Sequence, residues 1–301
     1  MKLINVRLFS PRAIMILCAF LLVSLFQPRA YIRAQQSNGL AEVNGTKLYY
    51  EVKGKGPAVV LIHGGLVDSR LWDDQMVPLS KHYRVVRYDL RAFGKSASTT
   101  EPFSHIEDLR ALLDFLKIDR ATLVGLSLGG IIAADFALEY PEKISSLVLV
   151  GAGLRGDPQP PDKEAIAAYA AASRGAEAFV NVTMSSALYA AVRPGSSVYS
   201  RLRQMMLDNF KALPTFVPGF WKYPQKTTYE RLNDINKPTL VIIGSEDSQA
   251  LKNVANTLAT KIPGASKVII PGSSHHPPVE KSKEFTRTVL GFLSQKKEIT
   301  K

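Results

Sequence analysis

Cysteine is almost absent from this 301-residue chain: Cys18 is the only one. No disulfide can form within the chain, and no Cys/His spacing of a metal site is present. Long apolar runs are also missing. The longest, Ala13 to Phe26, falls short of the roughly 20 residues that a membrane-crossing helix needs. No dinucleotide-type glycine fingerprint occurs. The one glycine-rich stretch, GLSLGG, is not a phosphate loop, because no lysine follows it. No cofactor and no metal are therefore expected. Internal repeats and low-complexity tracts are lacking too. At 46% hydrophobic and 21% charged, the composition predicts a packed core.

Acidic residues are absent from one place in particular. Residues 1–34 carry Lys2, Arg7, Arg12, Arg29 and Arg33 and no Asp or Glu. A basic start, a short apolar run and an exit with small residues at Ala30 and Ala34 predict a secretory signal peptide. The alternative is an uncleaved N-terminal anchor, the only feature that would bring the chain to a membrane. Cleavage would take Cys18 away and export a chain without any thiol. It would also lower the formal charge from +12 to +7. What remains is scattered, which predicts a solvated basic surface and no nucleic-acid partner.

Beyond residue 38 the chain alternates between two periods. Short β-branched runs (AEVNGTKLYYEV, PAVVLIHG, YRVVRYDL, ATLVGLS, ISSLVLVGAG, PTLVIIGS, SKVIIPGS) are separated by helix-like stretches such as HIEDLRALLDFLKI, SQALKNVANTLATKI and KSKEFTRTVLGFL. The middle runs are apolar nearly throughout, as strands covered on both faces must be. This predicts an α/β fold with a doubly wound, mainly parallel sheet. Asn44-Gly45 predicts a hairpin and so an antiparallel start. One domain is expected over residues 39–301. From about 155 to 232 no strand is legible. DPQPPDKEAIAAYAAASRGAEAFV and VYSRLRQMMLDNFKAL read as helices, and PTFVPGFWKYPQ as an irregular link. This insertion is expected to form a helical cap over the strand ends, where open α/β sheets bind ligands. Its many aromatic and methionine side chains suit both core and an apolar pocket.

The stretch ATLVGLSLGGIIAA carries the chemistry. An apolar strand enters it, an apolar helix leaves it, and Ser127 stands between Gly125 and Gly129 in the G-x-S-x-G spacing. A serine on so sharp a turn takes strained backbone angles, and side chains at the flanking positions would strike neighbouring backbone. Ser127 is thereby the candidate nucleophile. It needs a base, and the base needs an orienting acid. With the order serine, acid, histidine, the acid follows a later strand: Asp247 after VIIG, with Glu246 as the alternative. The base follows the next strand, where His275 and His276 stand side by side. Leu128, the residue after the nucleophile, is expected to supply one oxyanion N–H.

These motifs resemble the large capped family of α/β-hydrolases that includes carboxylesterases, enol-lactonases and meta-cleavage product hydrolases. The resemblance runs from about Leu40 to Leu293 and is weakest in the cap. It rests on IHGG at 62–65, on DLRAFGKS at 89–96 with Ala92 where the family has glycine, and on YPEKI at 140–144. It also includes the pattern Pro271, Gly272, His275, Pro277, Glu280. That last register implies His275 as the base. His276 falls where the family is apolar or variable, and is expected at the pocket mouth or in solvent. The resemblance further implies Gly65, with Leu66 as the near alternative, as the second oxyanion donor, and a structural role for His63. It implies a cofactor-independent serine hydrolase acting on an apolar ester, lactone or similar acyl compound. The same triad can also run carbon–carbon bond hydrolysis, lyase or perhydrolase chemistry, and a non-catalytic ligand-binding relative is a further reading. Export makes a direct prediction: mass spectrometry of the protein recovered outside the cytoplasm should find an N-terminus near Gln35. An intact N-terminus in the membrane fraction would show an anchor instead.

Overall fold

A computed structural model describes residues 37–158 and 163–299 of the chain. The expected export segment, with Cys18 and the Gln35 boundary, lies outside these residues. The expected sequence runs become eight strands. They are β1 (Ser37–Val43), β2 (Thr46–Lys53), β3 (Ala58–Ile62), β4 (Arg84–Tyr88), β5 (Ala121–Leu126), β6 (Ile144–Val150), β7 (Thr239–Gly244) and β8 (Ser266–Ile270). They form one sheet in the order β1-β2-β4-β3-β5-β6-β7-β8. Only β1–β2 and β2–β4 pair antiparallel. The hairpin turn is made at Asn44 and Gly45, both at positive φ as a two-residue type I′ turn demands.

Helices flank the sheet. They are α1 (Asp73–Ser80), α2 (His105–Phe115), α3 (Leu128–Glu139), α4 (Lys163–Ala172), α5 (Ala176–Met184), α6 (Ser197–Asn209), α7 (Thr228–Arg231), α8 (Gln249–Lys261), α9 (Pro277–Glu280) and α10 (Ser282–Ile299). Helix α1 was not legible, because Pro78 sits inside it and its apolar spacing is weak. The long helical reading before residue 180 is in fact two helices, α4 and α5, parted at Gly175 (φ 98°). Between β6 and β7 the described residues form helices and 3₁₀ turns without a strand.

Side chains alternate across the sheet with period two and build a core on each face. Val60 and Ile62 of β3, Leu147 and Leu149 of β6, and Val241 and Ile243 of β7 join the cluster with α2, α3 and α8. Their neighbours Val59, Leu61, Val148, Val150, Leu240 and Ile242 join the opposite cluster, which also takes in Phe179, Leu202, Met205 and Met206 of the inserted helices. Each such aliphatic side chain contributes roughly 1.5–3 kcal/mol on burial. The insertion is thus tied down by ordinary apolar packing to both clusters, with Ala212, Leu232, Phe216 and Trp221 packing on the first.

The loop after β4 is held by buried polar groups. Asp89 accepts hydrogen bonds from the Ser69 and Lys95 N–H groups, both at 2.8 Å. Arg91 makes a two-pronged pair with Asp108 at 2.9 and 2.6 Å. Within this loop Ala92 has φ 74°, a conformation that glycine takes freely and alanine does not. The family's glycine is missing here and the backbone kept the glycine conformation. Ala92→Gly should therefore raise unfolding stability by about 0.5–1 kcal/mol, the left-handed strain relieved less the added chain entropy. Urea unfolding of the two proteins measures this, and a destabilised variant would refute it.

Candidate active site

The sheet order places the site. β3 and β5 are parallel neighbours, so the loop after β3 lies beside the turn after β5. The chain reverses direction of progress here, the topological switch point of an open α/β sheet. Ser127 occupies that turn with φ 53° and ψ −111°. The strain is held by bonds on both sides. Ser127 N–H donates to Val150 O at 3.0 Å, and Ser127 O accepts from the Gly130 and Ile131 N–H groups at 2.9 and 3.1 Å. A Cβ on Gly125 would lie 2.1 Å from Gly129 O, and one on Gly129 would lie 2.3 Å from Ile62 O. Both glycines are therefore required by backbone contact. Ser127 is partly exposed within a run of buried residues.

The loops after β7 and β8 bring the other expected residues together. His275 Nδ1 is 3.1 Å from Asp247 Oδ2, and both side chains are buried. Asp247 Oδ1 accepts from Ser248 N–H at 2.8 Å, which fixes the carboxylate. This geometry turns His275 Nδ1–H to the acid and leaves the lone pair on Nε2. Glu246 is exposed and bonds to Ser245, so it is not the partner of the histidine. Beneath the pair lies Gly151 (φ 46°), whose Cβ would come within 2.9 Å of His275 Nδ1 and 3.3 Å of Asp247 Oδ2. Sequence reasoning passed over Gly151, although a glycine directly after the apolar run Leu147–Val150 was the available signal.

Ser127, His275, Gly65 and Leu128 line one cavity of about 250 Å³. Among the described residues neither the Gly65 nor the Leu128 N–H has an acceptor in the protein. Leu128 is the first residue of α3, so its N–H is one that the helix itself cannot satisfy. Leu66 lines the cavity as well, at φ 63°. His63 is fully buried and holds this loop: its Nδ1 donates to Gly64 O at 2.7 Å and its Nε2 accepts from Leu90 N–H at 2.9 Å. Burial pushes its pKa down and keeps it neutral. The remaining histidines stand apart. His82 is exposed. His105, buried at the start of α2, packs edge-on against Phe103 and Trp221, and burial lowers its pKa to about 3.

Two readings of the histidine loop need correction or completion. His276 is neither at the mouth nor in solvent: it is 2% exposed and lines the same cavity as His275. Pro277 opens α9 with His276 as its N-cap, and the ring lies stacked on Tyr189 from the inserted segment, centroids 4.9 Å apart. The segment covers the loop, so both rings face inward, nearly perpendicular to each other. Glu280 was recognised only as part of a pattern. Its buried carboxylate accepts from Ser274 N–H (2.5 Å), Ser274 Oγ (2.9 Å), Ser273 Oγ (3.1 Å) and His276 N–H (2.7 Å). Of the insertion's aromatics, Tyr189, Phe216 and Trp221 line the cavity, whereas Phe179 is ordinary core. Aromatic residues fit either place, and the sequence had no means to separate them.

Among the described residues no group of three or more His, Cys, Asp or Glu is placed to hold a metal ion. No helix among them is long and apolar enough to cross a membrane.

A family model described as the alpha/beta hydrolase fold matches residues 57–282. The chain belongs to this hydrolase family. Among its relatives, a 2-hydroxy-6-oxononadienedioate/2-hydroxy-6-oxononatrienedioate hydrolase of Paraburkholderia phymatum is 32% identical over 270 residues, 83% of this chain and 93% of that protein. The solved enol-lactonase of Burkholderia xenovorans LB400 is 28% identical with a TM-score of 0.71, covering 85% of this chain and 100% of its own. A thermophilic esterase of Thermogutta terrifontis is 26% identical with a TM-score of 0.73, covering 87% and 99%.

The Glu280 carboxylate gives this site a test independent of turnover. Glu280→Ala leaves two backbone N–H groups and two hydroxyls of the histidine loop without their acceptor. Unfolding stability should fall by about 1–3 kcal/mol. Chemical denaturation measures it, and an unchanged midpoint would show that the loop is held by other means.

Proposed function

We propose that this chain is a cofactor-independent serine hydrolase that cleaves a carboxylic ester, a lactone or a related acyl compound. The observation that carries this reading is the joint placement of Ser127, on its strained turn, and His275, paired to Asp247, in one small apolar cavity. His275 Nε2 takes the proton as Ser127 Oγ forms a bond to the scissile carbonyl carbon. The carbonyl π electrons move to oxygen, and the oxyanion is received by the Leu128 N–H and the Gly65 N–H. Asp247 stabilises the imidazolium that forms. Collapse of the tetrahedral adduct breaks the bond to the leaving oxygen, which takes its proton from His275. Water, deprotonated by His275, then attacks the acyl-serine and releases the acid and the free serine.

Carbon–carbon bond hydrolysis by the same residues is the second reading, favoured by the dienedioate hydrolase relative. The cavity lining argues for the first. A dienedioate substrate carries two carboxylates by name, and no lysine or arginine is among the residues that line the cavity. Burying an unpaired carboxylate is costly. A neutral ester or lactone suits an apolar wall better, and an enol-lactonase and an esterase are among the structural neighbours.

The test is direct. A fluorophosphonate probe should label the wild-type protein on Ser127 and leave Ser127→Ala unlabelled. Turnover of p-nitrophenyl esters or lactones should fall by several orders of magnitude in Ser127→Ala and by a similar factor in His275→Ala, since triad members act as a unit. Normal labelling of Ser127→Ala would place the nucleophile elsewhere. Labelling of the wild type without turnover of any ester or lactone would favour the carbon–carbon or binding readings.

A further inference from the structure

Beside the proposed triad, the cavity holds a second imidazole that the mechanism does not use. His276 is buried, its ring centroid 5.1 Å from that of His275 and 4.9 Å from that of Tyr189. Its backbone N–H is fixed by Glu280. Its side chain has no hydrogen-bond partner: Nδ1 is sealed from solvent and unpaired among the described residues. Nε2 has no partner among the described residues either and, unlike Nδ1, is not sealed, so it is the nitrogen that opens on the cavity and calls for an explanation. The neighbouring polar groups are already engaged. Thr183 donates to Phe179 O at 2.9 Å, and the Tyr189 hydroxyl rests on Met206 Sδ at 3.5 Å.

The ring's environment decides what it can offer. Nδ1 faces Glu280 Oε1 at 4.0 Å, so the proton belongs on Nδ1, where it points at negative charge. A lone pair on Nδ1 would instead oppose the carboxylate. Burial, and the adjacent His275, push the His276 pKa well below its usual value, so the ring is neutral. A neutral Nδ1–H ring carries its lone pair on Nε2, as an acceptor.

We propose that His276 is a specificity-determining residue that accepts, through Nε2, a hydrogen bond from a hydroxyl or N–H of the substrate close to its scissile carbonyl. The substrate class is thereby narrowed to hydroxy- or amido-substituted lactones and esters. This rests on the serine-hydrolase reading above. The short distance between the two histidine rings places the substrate donor within a few bonds of the carbon that Ser127 attacks. A substrate with a methyl group in that position fills the same volume and leaves Nε2 unpaired, which is where the discrimination arises.

The experiment compares γ-butyrolactones carrying a hydroxyl at the α or β carbon with their methyl-substituted counterparts. Wild-type protein should prefer the better placed hydroxy compound by at least about tenfold in kcat/KM. His276→Phe keeps the ring stacked on Tyr189 and removes the acceptor, so it should abolish the preference. His276→Asn retains an acceptor oxygen and should restore part of it. Calorimetric binding of the same pairs to Ser127→Ala protein gives the readout without turnover. A hydroxyl preference in binding, lost on adding His276→Phe, supports the role of His276 even if no lactone is hydrolysed. Equal affinity for both members of each pair, or a preference that survives His276→Phe, overturns it. Fluorophosphonate labelling reports separately on the hydrolase reading, so the two can fail independently.

Discussion

A serine held at φ 53° is stable only where its surroundings leave it no alternative, and the site of this protein is organised around that one strained residue. The Val150 carbonyl holds Ser127 from one side and the first turn of α3 holds it from the other. The crossing of strand and helix is so close that Gly125 and Gly129 touch backbone where other residues would carry a Cβ. The same closeness brings Ile62 and the HGG loop against the nucleophile turn. Strain at one residue, close approach at two glycines and the closeness of Gly64 to Ser127, where a Cβ would lie 3.3 Å from that of the serine, are therefore one structural fact.

Four of the five histidines are buried, and they differ by what faces each ring. His275 meets a carboxylate at 3.1 Å, which orients it for the proposed role of base. His63 meets a backbone carbonyl and a backbone N–H, and serves as a neutral clamp between two loops. His276 meets a carboxylate too far away for a hydrogen bond and keeps an uncommitted nitrogen. His105 meets only aromatic rings, which leaves both of its nitrogens unpaired among the described residues. Burial disfavours the charged form of His63, His105 and His276; the partner decides the task.

The inserted helices do more than cover the strand ends. Leu188 O accepts the His275 N–H at 3.2 Å, and Tyr189 lies flat against His276. Phe216 closes over the loop of Gly65, close enough that a Cβ there would be 3.2 Å from its ring. The insertion thus supplies Thr183, Leu188, Tyr189, Phe216 and Trp221 to the cavity wall, while the proposed chemistry is written in the ends of β3, β5, β7 and β8.

Periodicity alone was enough for the sheet. Apolar runs of strand length separated by helical stripes leave few arrangements, and all seven runs are strands or hairpins. Steric necessity made Ser127 legible, because glycine at both flanking positions is a demand of the backbone and survives in the sequence as a pattern. The order of the later strands pointed to Asp247, with Glu246 beside it, and to the pair His275 and His276, since each must follow the strand that carries it; only the register of the family resemblance singled out His275. The interior of the insertion was not legible. An aromatic side chain gains similar free energy in a core and on a cavity wall, so Tyr189, Phe216 and Trp221 look no different from Phe179 until the chain is folded. Nor could adjacency in sequence tell that His276 would be buried. That depends on a segment some ninety residues earlier, whose Tyr189 packs onto the ring, and contacts between such distant segments are decided only by tertiary packing.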